Sequence, residues 1–299
     1  MSEDGSPRYR PTAARPATTI TRTKARTLSR GQRVSDIGIS PGRVHAGGLS
    51  PCAIVRASQN GGQAPEPLSP VLGLQGVRLA ALYSGGKDST YAVYVAQQRG
   101  WEVSRLVSIL PRDPASMLYH VPNLHLVPLL AEAMGIPLVQ ERAEAGEGAE
   151  LDALRRALTG LDIDGVLVGA IASDYQHSRV NAVCDDLGLR VFAPLWRLDQ
   201  ARLLQDYLDA GIEAVFTSIS AAGLGPEWLG RRLDRAAADE LLDLHRRVGL
   251  SVCGEGGEFE TLVTFGPMFS QRLEIVDAES QWASQAGVLD IREAHLFPG

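Results

Sequence analysis

The sequence predicts an α/β protein: a doubly wound parallel sheet with a smaller C-terminal α+β part. Three observations lead there. Between residues 77 and 219, short apolar runs alternate with helix-like stretches, the mark of βαβ units with helices on both faces of a sheet. A glycine turn, Ser84-Gly85-Gly86-Lys87-Asp88-Ser89, separates the first apolar run from the first helix-like stretch. Towards the C-terminus the pattern changes to alternation of period two, in Arg272-Leu273-Glu274-Ile275-Val276 and Val288-Leu289-Asp290-Ile291-Arg292, as in antiparallel strands.

The first 75 residues are of a different composition. They hold 9 Gly, 8 Pro and 8 Ser, with Tyr9 as their only aromatic, and cannot bury enough apolar surface to fold alone. They carry ten basic and four acidic residues, against 19 and 31 in the remaining 224. Residues 5–35, basic without an acid, loosely resemble an organellar transit peptide, but no apolar face recurs and residues 1–75 read as a disordered extension. The acidic core argues against a nucleic-acid partner. No run is long and apolar enough for a membrane span or a signal peptide, so a soluble, cytoplasmic protein with no membrane partner is expected. A homodimer is left open. Cys52, Cys184 and Cys253 form no C-x-x-C pair and read as reduced thiols.

Strands are expected near 77–83, 103–110, 137–141, 165–171, 190–195 and 213–219, and helices near 88–99, 123–134, 148–159, 174–187, 199–210 and 234–248. The first strand, Val77 to Tyr83, is short and mostly apolar, as buried parallel strands are. The helix after it has Tyr91, Val93, Tyr94 and Val95 near helical spacing and stops at Gly100. Asn123, Ser173 and Asp174 stand where helix caps are expected. On the fourth helix Val180, Val183, Cys184 and Leu187 fall at i, i+3, i+4 and i+7, which makes Cys184 a core residue and not a nucleophile.

Only two lysines occur among 29 basic residues, and Lys87 is one of them. Arginine is a wide planar fork, whereas lysine is a point charge that fits beside a phosphate in a narrow loop. Strand, glycine turn and helix together point successive backbone N–H groups at an anion. Gly85 and Gly86 leave no Cβ in the way, Ser84 and Ser89 add hydroxyls, and Asp88 could hold a magnesium ion. The Walker spacing is absent.

Ligands in such sheets bind beyond the carboxyl ends of the strands. Three more segments qualify. Pro111 to Asn123 contains His120 and Asn123 as candidate contacts, although Asn123 could equally be a cap. Gly169-Ala170-Ile171-Ala172-Ser173 begins a helix that carries Tyr175 and Arg179, and Arg179 could pair with a phosphate. Cys253-Gly254-Glu255-Gly256-Gly257-Glu258-Phe259-Glu260-Thr261 threads three carboxylates with glycine, a set able to meet a cation or an amine. Cys253 reads as a packed thiol.

Ser84–Ser89 resembles the PP-loop of the N-type ATP pyrophosphatases, which implies an adenine nucleotide alpha hydrolase-like fold and cleavage of ATP between its α and β phosphates. More narrowly, the chain resembles the diphthine–ammonia ligase family. The resemblance is carried by that loop, by Met117–Asn123 with Ala131–Pro137, by Gly169–Val180, and by Cys253–Val263; Pro194-Leu195-Trp196, Gly223-Leu224 and Trp228-Leu229-Gly230 also match. It covers Val77 to about Phe269, and Glu-Gly-Gly-Glu-Phe-Glu-Thr is its most specific element. One departure is Asn181, where the family usually has an acid.

The resemblance implies amidation of a carboxylate by ammonia through an acyl-adenylate, with ATP and Mg2+ as cofactors and diphthine on translation elongation factor 2 as acceptor. Ser84, Gly85, Gly86, Lys87, Asp88, Ser89, Gly169, Ala170, Ile171 and Ser173 would then hold the nucleotide, with Asp88 on the metal. Lys87, Asp88, Glu255, Glu258 and Glu260 would be catalytic, and His120, Asn123, Tyr175, Arg179, Gly256, Gly257 and Thr261 would meet the substrate. The expected division is 76–210 for ATP and 211–299 for substrate. Two alternatives are weighed beside it: a transfer-RNA-modifying enzyme that adenylates a base, and a nucleotide-binding module without catalysis.

Overall fold

The structure, a computed structural model, describes residues 76–112, 123–144 and 148–299. Its axis is β1 (Arg78–Leu82), which pairs in parallel with β2 (Glu102–Leu110) on one side and β4 (Gly165–Leu167) on the other. Outside these lie β3 (Leu138–Arg142) and β5 (Arg190–Phe192), giving the all-parallel order β3-β2-β1-β4-β5. The helices between them are α1 (Lys87–Gln98), α2 (Val127–Met134), α3 (Ala149–Leu158) and α4 (Asp174–Asp186), and α5 (Gln200–Asp209) follows β5.

Strand pleating explains the layers, because successive side chains face opposite sides. Leu79 and Ala81 face α1, α2 and α5, packing with Val93, Leu130 and Leu203. Ala80 faces α3 and α4, packing with Leu154 and Val183. Each such leucine, fully withdrawn from water, contributes roughly 1.5–3 kcal/mol before entropy is counted. Cys184 is in the second cluster, as its spacing predicted, and burial pushes its thiol up to about 12. The chain builds outward from β1 to β3 and then returns to β1's other side for β4. That reversal opens a crevice between β1 and β4 at their carboxyl ends.

The sixth expected strand leaves this sheet. β6 (Glu213–Ile219) pairs antiparallel with β7 (Phe259–Phe265) and, at Ser218 and Ile219, with β9 (Ala286–Pro298). With β8 (Gln271–Ala283) they form a second sheet of order β7-β6-β9-β8. β6 read as a continuation of the parallel sheet because Ala214, Val215, Phe216 and Ile219 are all buried, one face under α6 (Arg235–Val248). A strand buried on both faces is nearly continuously apolar whichever way its neighbours run. β7 was not expected as a strand, and the stretches at 272–276 and 288–292 are only parts of two long partners.

The expected helix at 123–134 is a 3-10 turn, Leu124–Leu126, followed by α2. Asn123 does not cap it. At φ 62 its side chain donates to the Leu289 carbonyl and accepts from the Ile291 N–H, both at 2.9 Å, and so ties this turn to β9. Ser173 does cap α4, accepting from the Gln176 N–H at 3.3 Å. No helix among the described residues is long and apolar enough to cross a membrane.

Candidate functional site

The crevice deepens into a cavity of about 500 Å3. It is lined by Ser84, Gly86, Lys87, Asp88 and Ser89 after β1, by Gly169, Ala170 and Ser173 after β4, and by Glu255, Glu260 and Thr261 from the C-terminal part. Apolar side chains, Leu82, Val107, Ile109 and Val168, line it as well. A lining of this mixed kind suits a ligand that carries both an apolar part and a charged part.

The glycine turn is held by its own hydroxyls. Ser84 and Ser89 share a hydrogen bond at 3.3 Å, and the hydroxyls of Ser89 and Thr90 donate to the Gly86 carbonyl at 3.1 and 2.8 Å. Gly85, at φ 82, makes the turn without lining the cavity: a Cβ there would lie 2.9 Å from Leu130 Cδ1. Its carbonyl accepts from the Val263 N–H at 2.9 Å, and the Lys87 N–H donates to Thr261 Oγ1 at 3.2 Å. β7 therefore braces the turn from the second sheet. On the other side Gly169 permits a close approach, since a Cβ there would stand 2.7 Å from the Ser89 nitrogen. Ile171 is fully buried in the core and serves through its backbone.

Lys87 is only 2% exposed. Its ammonium donates to Asp88 Oδ2 at 2.9 Å and to the Cys253 carbonyl at 2.6 Å, and lies 5.2 and 5.8 Å from the ring centroids of Phe259 and Tyr207. Burial alone would lower its pKa, but Asp88, helped by Glu255, outweighs burial and lifts it above the usual lysine value. The Tyr207 hydroxyl, from α5, donates to Asp88 Oδ1 at 2.5 Å. Burial first, and Asp88 second, push that phenol well above its ordinary value.

The three glutamates differ in placement. Glu255 Oε2 accepts from the Ala172 N–H at 2.9 Å, which ties its loop to the segment after β4. Burial, then the charge of Asp88, raise its pKa, while the Ala172 and Ile171 N–H groups and Lys87 pull it back only in part. Glu258 turns into its own loop, accepting from the Ser251 N–H at 3.2 Å and the Gly256 N–H at 2.8 Å, which makes it a brace and not a wall. Glu260 lies on β7 and lines the cavity. Burial pushes the Cys253 thiol up to about 12, so it offers no thiolate near neutral pH.

Of the expected substrate contacts, Tyr175, Gly256, Gly257 and Thr261 line the cavity. Arg179 stacks on the Tyr175 ring, 3.5 Å from its centroid, and Asn123 belongs to the β9 tie described above. The Asn181 amide donates to the His177 carbonyl of its own helix at 2.7 Å. His120 lies outside the described residues. Sequence reading missed Tyr207, Phe259 and the Cys253 carbonyl. Tyr207 had left a trace: it falls on the buried stripe of α5 with Leu203 and Leu204, where a hydroxyl needs a partner.

The Ser84 and Ser89 side chains and the buried Lys87 ammonium all line the cavity, a set of donors and positive charge able to meet an anion. No cluster of three or more His, Cys, Asp or Glu side chains fit to hold a metal exists among the described residues. Asp88, 26% exposed at its side chain, fits a magnesium ion held mainly by phosphate oxygens, with one protein carboxylate.

A family model described as the diphthamide synthase N-terminal domain matches residues 77–191, and one for the diphthamide synthase C-terminal domain matches residues 199–297. Among curated relatives, the diphthine–ammonia ligase of Danio rerio is 35% identical over 226 residues, 68% of this chain and 87% of that one. Its Bos taurus counterpart is 34% identical over 248 residues, 74% and 92% of the two chains. The Homo sapiens protein is 34% identical over 225 residues, 68% and 84%.

Proposed function

The chain belongs to the diphthamide synthase family, a family of carbon–nitrogen ligases, and on that premise we propose that it amidates a carboxylate with free ammonia by cleaving ATP to AMP and pyrophosphate. The acceptor we propose is diphthine on translation elongation factor 2, in the cytoplasm. One observation carries the reading: Lys87 and the serines of the glycine turn line the same cavity as Glu255 and Glu260, together with apolar side chains. In this reading residues 76–210 seat ATP and residues 211–299 meet the acceptor.

Leu82, Val107, Ile109 and Val168 would offer the base of ATP an apolar surface, and the glycine turn would receive its phosphates. An oxygen of the acceptor carboxylate attacks the α-phosphorus, and the bond to the bridging oxygen of the β-phosphate breaks. The departing pyrophosphate is received by the N–H groups of the turn, the Ser84 and Ser89 hydroxyls and Lys87. Ammonia nitrogen then attacks the acyl carbon, the C–O bond to AMP breaks, and the spare proton passes to Glu255. Asp88 would hold magnesium, which when bound neutralises phosphate charge. Aligning two anions supplies much of the acceleration.

The raised pKa of Glu255 gives this scheme a pH signature. As a base Glu255 must be ionised, so the rate rises with pH through an inflection above the ordinary carboxylate range. Glu255→Gln is expected to lose that inflection and about a hundredfold in kcat, within the span typical of general bases. The sign for stability is the reverse. A folded-state pKa above the unfolded one contributes stability that is fully present below the unfolded pKa and lost as pH rises through the folded one. Glu255→Gln should therefore melt no lower than the parent at neutral pH, by calorimetry.

The direct test incubates the chain with ATP, magnesium and ammonium, with and without diphthine-bearing elongation factor 2, following AMP and the mass of the factor. AMP together with the small mass loss of an OH-to-NH2 exchange is expected. AMP without a mass change refutes this acceptor and keeps the adenylation. No AMP under any condition refutes the enzyme reading of the cavity.

A further inference from the structure

We propose that Tyr207 is a positioning residue for the nucleotide site: it fixes the Asp88 carboxylate in the orientation in which it would hold the magnesium ion carried by the phosphates. This rests on the reading of Asp88 given above.

Tyr207 is fully buried on α5 and comes from a different element than the glycine turn it touches. Its neighbours on the same stripe, Leu203 and Leu204, pack as aliphatic core. A leucine would suit that stripe. The tyrosine instead carries a hydroxyl through the core to Asp88 Oδ1, 2.5 Å away, while Lys87 holds Oδ2 at 2.9 Å. One donor on each oxygen leaves the carboxylate no free rotation, and each oxygen keeps a lone pair for a ligand. The ring is fixed in turn, edge-on to Tyr91 with centroids 5.0 Å apart, and its face forms one wall around the Lys87 ammonium. One residue of α5 therefore touches both charged side chains of the turn, Asp88 by a hydrogen bond and Lys87 by its ring. Such supports of a ligating carboxylate matter because a freely rotating group must be ordered again each time a ligand binds.

Tyr207→Phe keeps the ring and removes only the hydroxyl. The Asp88 side chain is partly exposed, so water can replace the lost donor and the fold should hold. We expect kcat to fall about tenfold, within the range for loss of such a support, with KM for ATP within about twofold. The magnesium concentration that half-saturates ATP binding, read by calorimetry, should rise several-fold, and the melting temperature should be unchanged. Tyr207→Leu, which also removes the wall beside Lys87, should raise KM for ATP as well. In an Asp88→Asn background Tyr207→Phe should add little, because the two act through one carboxylate.

Parent-like kcat and magnesium dependence in Tyr207→Phe, with Asp88→Asn clearly impaired, would overturn the proposal. A rate loss that merely tracks a lower melting temperature would do the same. Parent-like behaviour of Asp88→Asn would instead remove the reading of Asp88 on which the proposal stands.

Discussion

Lys87→Met should lower kcat/KM for ATP by about a hundredfold to a thousandfold, the loss typical when one donor to a developing anion is removed. Methionine nearly matches the length and volume of the lysine stem, so the buried space between Phe259 and Tyr207 stays filled. What disappears is the charge, together with the bonds to Asp88 Oδ2 and the Cys253 carbonyl. Asp88 keeps Tyr207 as a donor and is partly exposed, and the turn keeps its hydroxyl and β7 braces. Folding should survive, with a melting point lowered by no more than a few degrees. The deficit should appear in pyrophosphate release, where the leaving group gathers charge. Lys87→Arg should fare little better: a planar fork does not fit a space closed by two rings, a carboxylate and a carbonyl. Near-parent turnover in Lys87→Met would remove Lys87 from the mechanism.

Gly169→Ala is expected to have the second large effect, and for a geometric reason. The added Cβ would lie 2.7 and 2.8 Å from Ser89 N and Cα and 2.9 Å from the Asp88 carbonyl carbon. These are backbone atoms at the start of α1 and cannot rotate away. Either β4's exit or the turn must move by several tenths of an ångström or more. Such overpacking costs about 1–3 kcal/mol, a fall of several degrees in melting temperature for a chain of this size. The greater effect falls on the site, since Ser89 and Asp88 are the groups displaced. Misplacement of about 1 Å at a reacting centre can cost on the order of a hundredfold in rate. Calorimetric ATP titration of Gly169→Ala at a temperature where it is fully folded separates the two effects. Parent-like affinity there would mean that the turn tolerates the shift.

How far the sequence carried this picture depends on what each feature requires. The glycine turn is local chemistry: φ 82 at Gly85 and the hydroxyl braces lie within seven residues, so the string Ser-Gly-Gly-Lys-Asp-Ser-Thr nearly dictates them. Ser173 as a cap is equally local. Asn123 was misread because its partners, Leu289 and Ile291, lie at the far end of the chain. Glu255, Glu258 and Glu260 were identical in composition and spacing terms, and only the fold aims them at the Ala172 N–H, at their own loop and at the cavity.

By itself, then, the sequence determined the alternating α/β architecture, the glycine turn between β1 and α1, and the family, because periodicity and short-range backbone chemistry are written in consecutive residues. Tertiary structure alone decided that β6 leaves the parallel sheet, that β7 braces the turn, and that Lys87 and Asp88 are held between Tyr207, Phe259 and the Cys253 carbonyl. Strand partners and buried hydrogen bonds are chosen by which distant surfaces exclude water together, and a buried polar group takes whichever partner that packing brings within reach.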